Sequence, residues 1–292
     1  MTVVVPVLNG AHVLPATLPA VLAQPADRIV YVDDGSTDET GAILREAASR
    51  DVRVEVVAFP SNRGRAAARN AGAERASGDA LVFLDADVVP GAGLAAMLAG
   101  ALELPGAVAA VGALRYDSAD PDDPYHRYLT SSRRGARGGG RVPWKHFLST
   151  ASAVRRSAFE AAGGFPEGVR YGEDLALACR LAGPHPFGLW REARARAQLL
   201  DLGDLGTALA KLEAFGEALA EARRACPDVL RVAGLDRLES DRWVDRAALA
   251  LVRAERPASL ARGVLSRLPA GVQPLAVRYL LAHTLARSAR LA

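Results

Sequence analysis

The chain has 292 residues, of which 50% are hydrophobic and 24% charged, with a formal net charge of +3. This composition is typical of one large or two smaller globular domains, and it excludes a disordered chain and a disulfide-stapled miniprotein. The basic residues are nearly all arginines, since only Lys145 and Lys211 are lysines; a nucleic-acid binder would concentrate them on one element, and we expect no nucleic-acid partner.

Strands and helices alternate along the first 84 residues. Residues 2–7, TVVVPV, form a β-branched run of the kind found in buried parallel strands. The next predicted strands are 28–32, 52–58 and 80–84, and the helices between them are 13–23, 37–49 and 66–76. This alternation predicts an α/β domain with a mostly parallel sheet flanked by helices. Ligands of such sheets bind beyond the carboxyl ends of the strands, where the polar residues of this chain fall.

The pattern changes twice in the rest of the chain. Predicted strands at 108–116, 149–155 and 187–189 are accompanied by helices that start at 157 and 174, and the polar, glycine-rich stretch 117–141 is typical of a long loop. From about residue 204 the apolar spacing is helical throughout. We therefore expect an α/β domain over 1–203 and an all-helical extension over 204–292.

The two cysteines, Cys179 and Cys226, are far apart and belong to no C-x-x-C motif. We expect two reduced thiols in a reducing, cytoplasmic compartment. Residues 1–26 carry no charged side chain, but they lack a basic n-region and several prolines interrupt them, so we expect no signal peptide. No stretch is long and apolar enough to predict a transmembrane helix.

Five short motifs follow one another at predicted strand ends and helix starts. They are Pro6-Val7-Leu8-Asn9, DDGSTD at 33–38, NRGRAAARNAG at 62–72, Asp85-Ala86-Asp87 and Gly172-Glu173-Asp174. Each is unspecific alone, but in this order and spacing they make the sequence resemble the family-2 glycosyltransferases over about residues 2–200. The resemblance implies the GT-A fold and an inverting transfer of a sugar from a nucleotide-sugar donor to an acceptor hydroxyl. The Q-x-x-R-W motif of processive synthases is absent, which favours the transfer of a single sugar.

Asp85 and Asp87 are the candidate metal ligands. In an extended strand end both carboxylates would leave the same face, and two close carboxylates repel unless a cation neutralises them. Mg²⁺ or Mn²⁺ prefers such oxygen ligands together with a diphosphate. The resemblance implies that Asp87 holds the metal and that Asp85 reaches metal or ribose. The alternative is an acidic pair before a helix.

The resemblance also implies which residues surround the nucleoside. Asp34 would accept a hydrogen bond from the base, with Asp33 supporting it, and Pro6 and Asn9 would line the pocket largely through their main chain. An N-cap from Ser36 or Asp38 is the alternative for this motif, although capping does not explain two consecutive aspartates at a buried strand end.

Three arginines precede the Asp85 motif and could add positive charge to the diphosphate. They are Arg63, Arg65 and Arg69, and Arg65 is the preferred choice by position. Trp144, beyond the glycine-rich loop, is a further candidate for contact with donor or acceptor sugar.

Asp174 is the candidate general base, with Glu173 beside it. An inverting transfer needs a carboxylate that takes the acceptor's proton as its oxygen attacks the anomeric carbon. At a helix start, the helix dipole favours the ionised carboxylate. The alternative interpretation is charge at a helix terminus with no catalytic role.

Besides the absent Q-x-x-R-W motif, the chain departs from the family at a position expected to help hold the metal. Many members carry a histidine where this chain has residues 198–201, QLLD, so metal binding would depend on Asp87, phosphates and water.

UDP-sugars are the expected donors, with GDP- and dTDP-sugars as alternatives. The acceptor is expected to be a small molecule, glycan, peptide or lipid-linked group. A non-catalytic GT-A module is the alternative function. A nucleotidyltransferase is disfavoured because no lysine precedes Lys145.

The helical extension has two interpretations. It could pack on the catalytic domain and shape the acceptor pocket. Alternatively, its basic end, residues 253–292 with seven arginines and the single acid Glu255, could lie on an anionic membrane as a peripheral contact.

Overall fold

The computed structural model describes residues 1–116, 138–169, 171–200 and 205–233. The strands are β1 Thr2–Val7, β2 Arg28–Asp33, β3 Val54–Ala58, β4 Ala80–Leu84, β5 Val88–Pro90, β6 Ala109–Tyr116, β7 Gly140–Arg141, β8 Ala151–Arg155 and β9 Leu189–Leu199. The α-helices are α1 Leu14–Leu22, α2 Thr40–Arg50, α3 Arg65–Glu74, α4 Leu94–Ala101, α5 Arg156–Ala161, α6 Glu173–Ala182, α7 Leu205–Ala225 and α8 Val229–Ala233, and a 3₁₀ turn spans Trp144–His146.

The described strands form one nine-stranded sheet in the order β3-β2-β1-β4-β8-β6-β9-β5, with β7 beside β9. Strands β1 to β4 are parallel to one another. Antiparallel pairing begins where β8 lies against β4 and β6. The predicted fold class is confirmed: a mixed α/β sheet is flanked by helices, with its parallel part in the first 84 residues.

Two apolar layers enclose the sheet because successive side chains of a strand point to opposite faces. Along β1, Val3 and Val5 belong to one buried cluster and Val4 to the other. The second cluster contains Phe83, Phe159 and Phe165, whose ring centroids are 5.2–5.6 Å apart. This packing fixes the carboxyl edge of the parallel strands, where the candidate site lies.

Strand β9 is much longer than predicted. Its 11 residues pair with β5, β6 and β7, whereas the sequence predicted only a strand around 187–189. The stretch Arg194-Ala195-Arg196-Ala197 alternates exposed arginines with buried alanines. An alternation with a period of two residues indicates a strand. It was missed here because alanine is only weakly apolar and gives little contrast with its polar neighbours.

The expectation of two reduced thiols is wrong, because Cys179 on α6 and Cys226 after α7 form a disulfide. Their Cα atoms are 6.2 Å apart, within the range that a disulfide spans. Sequence spacing did not reveal the pair because packing of α7 and α8 against α6 brings together residues 47 positions apart. The bond also removes the ground on which a reducing compartment was expected.

The start of the predicted helical extension is described, with α7 and α8 covering 205–225 and 229–233. Ala222 of α7 and Val229 of α8 pack in a small buried cluster with Cys179 and Val169. The basic segment 253–292 lies outside the described residues. Within the described residues, none of the helices combines the length and apolarity required to cross a bilayer.

Candidate active site

The loops after β1 and β2 are joined by reciprocal hydrogen bonds. The Asn9 backbone N–H donates to Ser36 Oγ at 2.9 Å, and Asn9 Oδ1 accepts from the Thr37 N–H at 2.9 Å. Asn9 itself has a φ of 50°, a left-handed conformation that asparagine tolerates better than most residues. Pro6 is buried in β1, two residues beyond the end of the β4 pairing at Val4, so its missing N–H leaves no gap in that ladder.

The two aspartates at the end of β2 hold neighbouring loops in place. Asp33 Oδ1 accepts the Ser36 N–H at 2.9 Å. Asp34, 3% exposed, accepts the Arg63 N–H on Oδ1 at 2.7 Å and the Gly64 N–H on Oδ2 at 2.9 Å. Each carboxylate oxygen has a second lone pair, so these contacts leave Asp34 able to accept another hydrogen bond.

Gly35 is required where these loops meet. Its φ is +77°, and a Cβ built there would lie 2.5 Å from the backbone carbonyl carbon of Ser61. Glycine is therefore the residue that permits both the turn and the close approach of the two loops.

Asp85 and Asp87 lie in a tight turn between β4 and β5. The Val88 N–H donates to the Asp85 carbonyl at 3.2 Å, and the Leu200 N–H donates to the Asp87 carbonyl at 2.9 Å. The extended geometry expected for this motif is wrong, because the backbone turns between the two residues. Both nevertheless remain at the carboxyl end of a central strand, where the Asp85 side chain is 22% exposed.

Arg69 on α3 is a buried guanidinium that bridges two carboxylates. Its side chain is 1% exposed; Nη2 donates to Asp85 Oδ1 at 2.7 Å and Nη1 donates to Glu173 Oε1 at 2.9 Å. The guanidinium carbon lies 5.3 Å from the centroid of the Phe165 ring. Arg69 therefore connects the Asp85 turn to the start of α6, which carries Glu173 and Asp174.

The electrostatics of this bridge favour its charged form. Burial alone would lower the pKa of Arg69, but Asp85, Asp174 and Glu173 together raise it above its ordinary value. Burial would likewise raise the pKa of Asp85, and the charge and hydrogen bond of Arg69 hold it below its ordinary value. The pKa of Glu173 is raised by burial and by its like-charged neighbour Asp174, against the opposing effect of Arg65 and Arg69.

Asp174 lies in the first turn of α6, as predicted, and Asp174 Oδ2 accepts the Ser149 N–H at 3.3 Å. Ser149 is fully buried, and its hydroxyl oxygen has no hydrogen-bond partner among the described residues. Sequence reasoning missed this residue, which lies just before β8 and carries no motif of its own.

The other two arginines differ from Arg69. Arg65 is 53% exposed and its Nε lies 3.4 Å from Glu173 Oε1. Arg63 is 52% exposed and its Nη2 lies 3.4 Å from Glu167 Oε2. The sequence indicates all three as candidate diphosphate contacts, with Arg65 preferred, whereas the structure buries Arg69 among carboxylates. Three buried alanines immediately before it, Ala66 to Ala68, are the signal that this stretch of α3 faces the core.

Trp144 disagrees with the predicted sugar contact. Its side chain is 5% exposed, its indole N–H donates to the His185 carbonyl at 2.8 Å, and it packs in the second apolar cluster. Because the ring is enclosed and its donor is satisfied, Trp144 stabilises the core beside α6.

Within the described residues, no three His, Cys, Asp or Glu side chains lie close enough together to hold a metal by themselves.

The mixed α/β sheet and the carboxylates at its carboxyl edge indicate a protein of the GT-A glycosyltransferase fold. The family model described as glycosyl transferase family 2 matches residues 2–163, more than half of the chain. The chain belongs to this family.

Relatives and solved structures agree with that assignment. A pre-mycofactocin glycosyltransferase of Mycobacterium tuberculosis is 33% identical over 187 residues, and an uncharacterised glycosyltransferase of Haemophilus influenzae is 38% identical over 89 residues. These matches cover 62% and 30% of this chain, and 38% and 36% of the relatives, so the chain spans little more than a third of their length. The mannosyltransferase PcManGT of Pyrobaculum calidifontis, solved with GDP-Man and Mn²⁺, has a TM-score of 0.65 at 23% identity, covering 97% of this chain and 85% of that one. Residues 1–349 of Staphylococcus aureus TarS have a TM-score of 0.56 at 14% identity, covering 99% and 90%. At identities of 23% and 14%, these similarities show that the chain shares the fold of the two solved structures.

Proposed function

We propose that the protein is an inverting glycosyltransferase that moves one sugar from a nucleotide-sugar donor to an acceptor hydroxyl. The observation that carries the proposal is the buried bridge through Arg69. It joins Asp85, beside the expected diphosphate, to Glu173, beside the expected base. Two parts of one reaction centre are thus held at a fixed separation by a single guanidinium.

The donor would bind over the carboxyl ends of β1 and β2. Asp34 supports base recognition because it is buried yet retains acceptor capacity, and Asp33 and Asn9 support the loop geometry around it. Arg65 is the diphosphate contact in this proposal, since its guanidinium is half exposed at the start of α3. UDP-sugars are the donors we propose first. Because PcManGT was solved with GDP-Man, GDP-sugars should be tested alongside them.

The residues of the Asp85 turn fit a divalent cation that is held mainly by the substrate. Arg69 already neutralises one Asp85 oxygen, which leaves Asp87 as the principal protein ligand. Mg²⁺ and Mn²⁺ accept one or two carboxylates when phosphate oxygens and water complete the shell. Such a cation would stabilise the negative charge that develops on the departing nucleoside diphosphate. Mn²⁺ accompanies the nucleotide sugar in the PcManGT structure.

Asp174 is the proposed general base. Its carboxylate would take the proton of the acceptor hydroxyl while that oxygen bonds to the anomeric carbon and the bond from that carbon to the diphosphate breaks. The Ser149 N–H fixes one oxygen of Asp174. Glu173 acts as a positioning residue, because its contacts with Arg65 and Arg69 anchor the first turn of the helix.

A thermal-shift screen against UDP, GDP, dTDP and their sugars, with and without Mn²⁺, tests the donor side. For the base, Asp174→Asn should retain nucleotide binding and lose transfer by roughly 10²- to 10⁴-fold. Asp228→Asn, at an exposed position of the loop before α8, is the matched control and should behave like the wild type. Transfer by Asp174→Asn at the wild-type rate would reject the base assignment. Nucleotide binding by the wild type without any transfer would favour the non-catalytic alternative.

A peripheral membrane contact through residues 253–292 stays a prediction, because these residues lie outside the described part of the chain. Co-sedimentation with anionic liposomes, comparing the full chain with a chain cut near residue 252, tests it; equal sedimentation of the two would contradict it.

A further inference from the structure

A cavity of about 320 Å³ lies beside the proposed reaction centre, and Arg65 and Glu173 of the site described above form part of its wall. Its walls are Asn62–Ala66 at the start of α3, Glu167–Val169 before α6, Glu173, and Glu221 of α7. Ligand pockets for small molecules begin at about this size. Glu173 belongs both to this wall and to the Arg69 bridge. A ligand in the cavity would therefore lie next to the first turn of α6, which carries the proposed base Asp174.

The wall carries charged groups of both signs. Its lining includes two guanidinium groups, Arg63 and Arg65, and three carboxyl groups, those of Glu167, Glu173 and Glu221. Sugar hydroxyls donate and accept at the same time, so a wall that offers both N–H donors and carboxylate acceptors suits a polyhydroxylated ring. A wall made only of arginines would instead favour an anion such as a phosphate.

Several of these side chains are held in place before any ligand binds. The Arg63 guanidinium lies 4.5 Å from the Phe59 ring centroid, and that of Arg65 lies 5.9 Å from the Tyr171 ring centroid. Glu167 Oε1 accepts from Asn70 Nδ2 at 3.1 Å. Such preorganisation lowers the entropy cost of binding.

Glu221 comes from outside the region that the family model matches, 2–163. The disulfide between Cys179 and Cys226 ties the end of α7 to α6, five residues after Glu221. Helix α7 is therefore fixed against the catalytic domain with this carboxylate at the cavity wall.

Resting on the proposed function, we propose that this cavity is the acceptor subsite, that it takes a polyhydroxylated sugar or polyol ring, and that Glu221 determines its specificity. The donor sugar would enter from the β1 and β2 side, and the acceptor from the side of α7. The helical segment after the sheet thus supplies the acceptor specificity.

Gly168 provides a direct test. A Cβ at this position meets no atom within 4 Å, and its φ is not in the left-handed range, so Gly168→Leu fills the cavity without straining the backbone. Gly100→Leu on the exposed side of α4 also projects into open space and is the matched control. Glu221→Gln removes one charge while keeping the shape of the side chain.

The probes are the methyl glycosides of glucose, mannose, galactose and N-acetylglucosamine, added to the full chain with Mn²⁺ and saturating UDP or GDP. Saturation-transfer NMR should show at least one glycoside bound to the wild type and to Gly100→Leu. Gly168→Leu should weaken binding at least about tenfold, and Glu221→Gln about fivefold, the effect of replacing a charge-assisted hydrogen bond with a neutral one. Circular dichroism verifies that each variant is folded.

The outcomes separate the two proposals. Nucleotide binding without any glycoside binding, or glycoside binding unaffected by both variants, overturns the acceptor subsite and leaves the proposed function intact. An equal loss of UDP or GDP affinity in Gly168→Leu assigns the cavity to the donor and also overturns it. A wild type that binds none of UDP, GDP and dTDP overturns the proposed function itself.

Discussion

Replacing Arg69 by methionine should destabilise the protein strongly. Methionine keeps much of the apolar contact but removes both bonds of the bridge, to Asp85 at 2.7 Å and to Glu173 at 2.9 Å. Removing one partner of a buried ion pair costs about 3–5 kcal/mol, since the remaining charge stays uncompensated. Glu173 is 3% exposed and cannot regain water, whereas Asp85, at 22%, can do so in part. We therefore expect a loss of about 3–5 kcal/mol rather than twice that amount.

Urea denaturation followed by circular dichroism measures this loss as a change in the free energy of unfolding. Arg50→Met is the matched control, because Arg50 is 75% exposed and pairs only one turn away with Glu46. Such a surface pair contributes about 0.5 kcal/mol or less. A loss below about 1 kcal/mol for Arg69→Met would refute the reasoning, because it would place the bridge in the class of surface pairs.

The pH dependence supplies a second check with a defined sign. In the wild type the pKa of Asp85 is lowered from 3.8, so its contribution is present above that value and is lost as the pH falls through the folded value. Without Arg69, burial raises the pKa of Asp85 in the folded variant. The difference in stability between wild type and variant should therefore be largest near pH 7 and should narrow towards about pH 4.

Three further predictions concern the loops and the disulfide. Reduction of the Cys179–Cys226 bond, which closes a loop of 47 residues, should lower the free energy of unfolding by about 2–4 kcal/mol, measured by thermal unfolding with and without dithiothreitol. Two thiols that react with a thiol reagent in the unreduced native chain would contradict it. Gly35→Ala should cost about 1–3 kcal/mol in urea denaturation, whereas Gly100→Ala, in open space within a helix, should not destabilise. Asp34→Asn should cost about 1–3 kcal/mol by losing one of two backbone contacts, and should weaken UDP or GDP in calorimetry; unchanged affinity would argue against its role.

The parallel half of the fold could be predicted closely because its signals are local. Strands β1 and β4 begin and end at the predicted residues, since β-branched and apolar runs there are bounded by polar turns. Strand β5 has three residues and depends on β9 for its pairing, so nothing in its own sequence indicates it.

The site shows the same division between local and distant information. The order of motifs predicted which segments meet at the sheet edge, and the Asp174 position at a helix start follows from the residues beside it. The function of Arg69 could not be predicted, because its two partners are 16 and 104 residues away. Its burial depends on the packing of α3 and α6 rather than on its neighbours in sequence.

The position of β9 sets a lower limit on any fragment that could fold. The family match ends at residue 163, but β6 lies between β8 and β9, and β5 and β7 pair with β9 alone among the described strands. A fragment cut at 163 would expose one side of β6, leave β5 and β7 without a neighbour and remove Glu173 from Arg69. We therefore expect that the end of the family match is not a boundary of cooperative folding, and that the cooperative unit extends at least to Leu199.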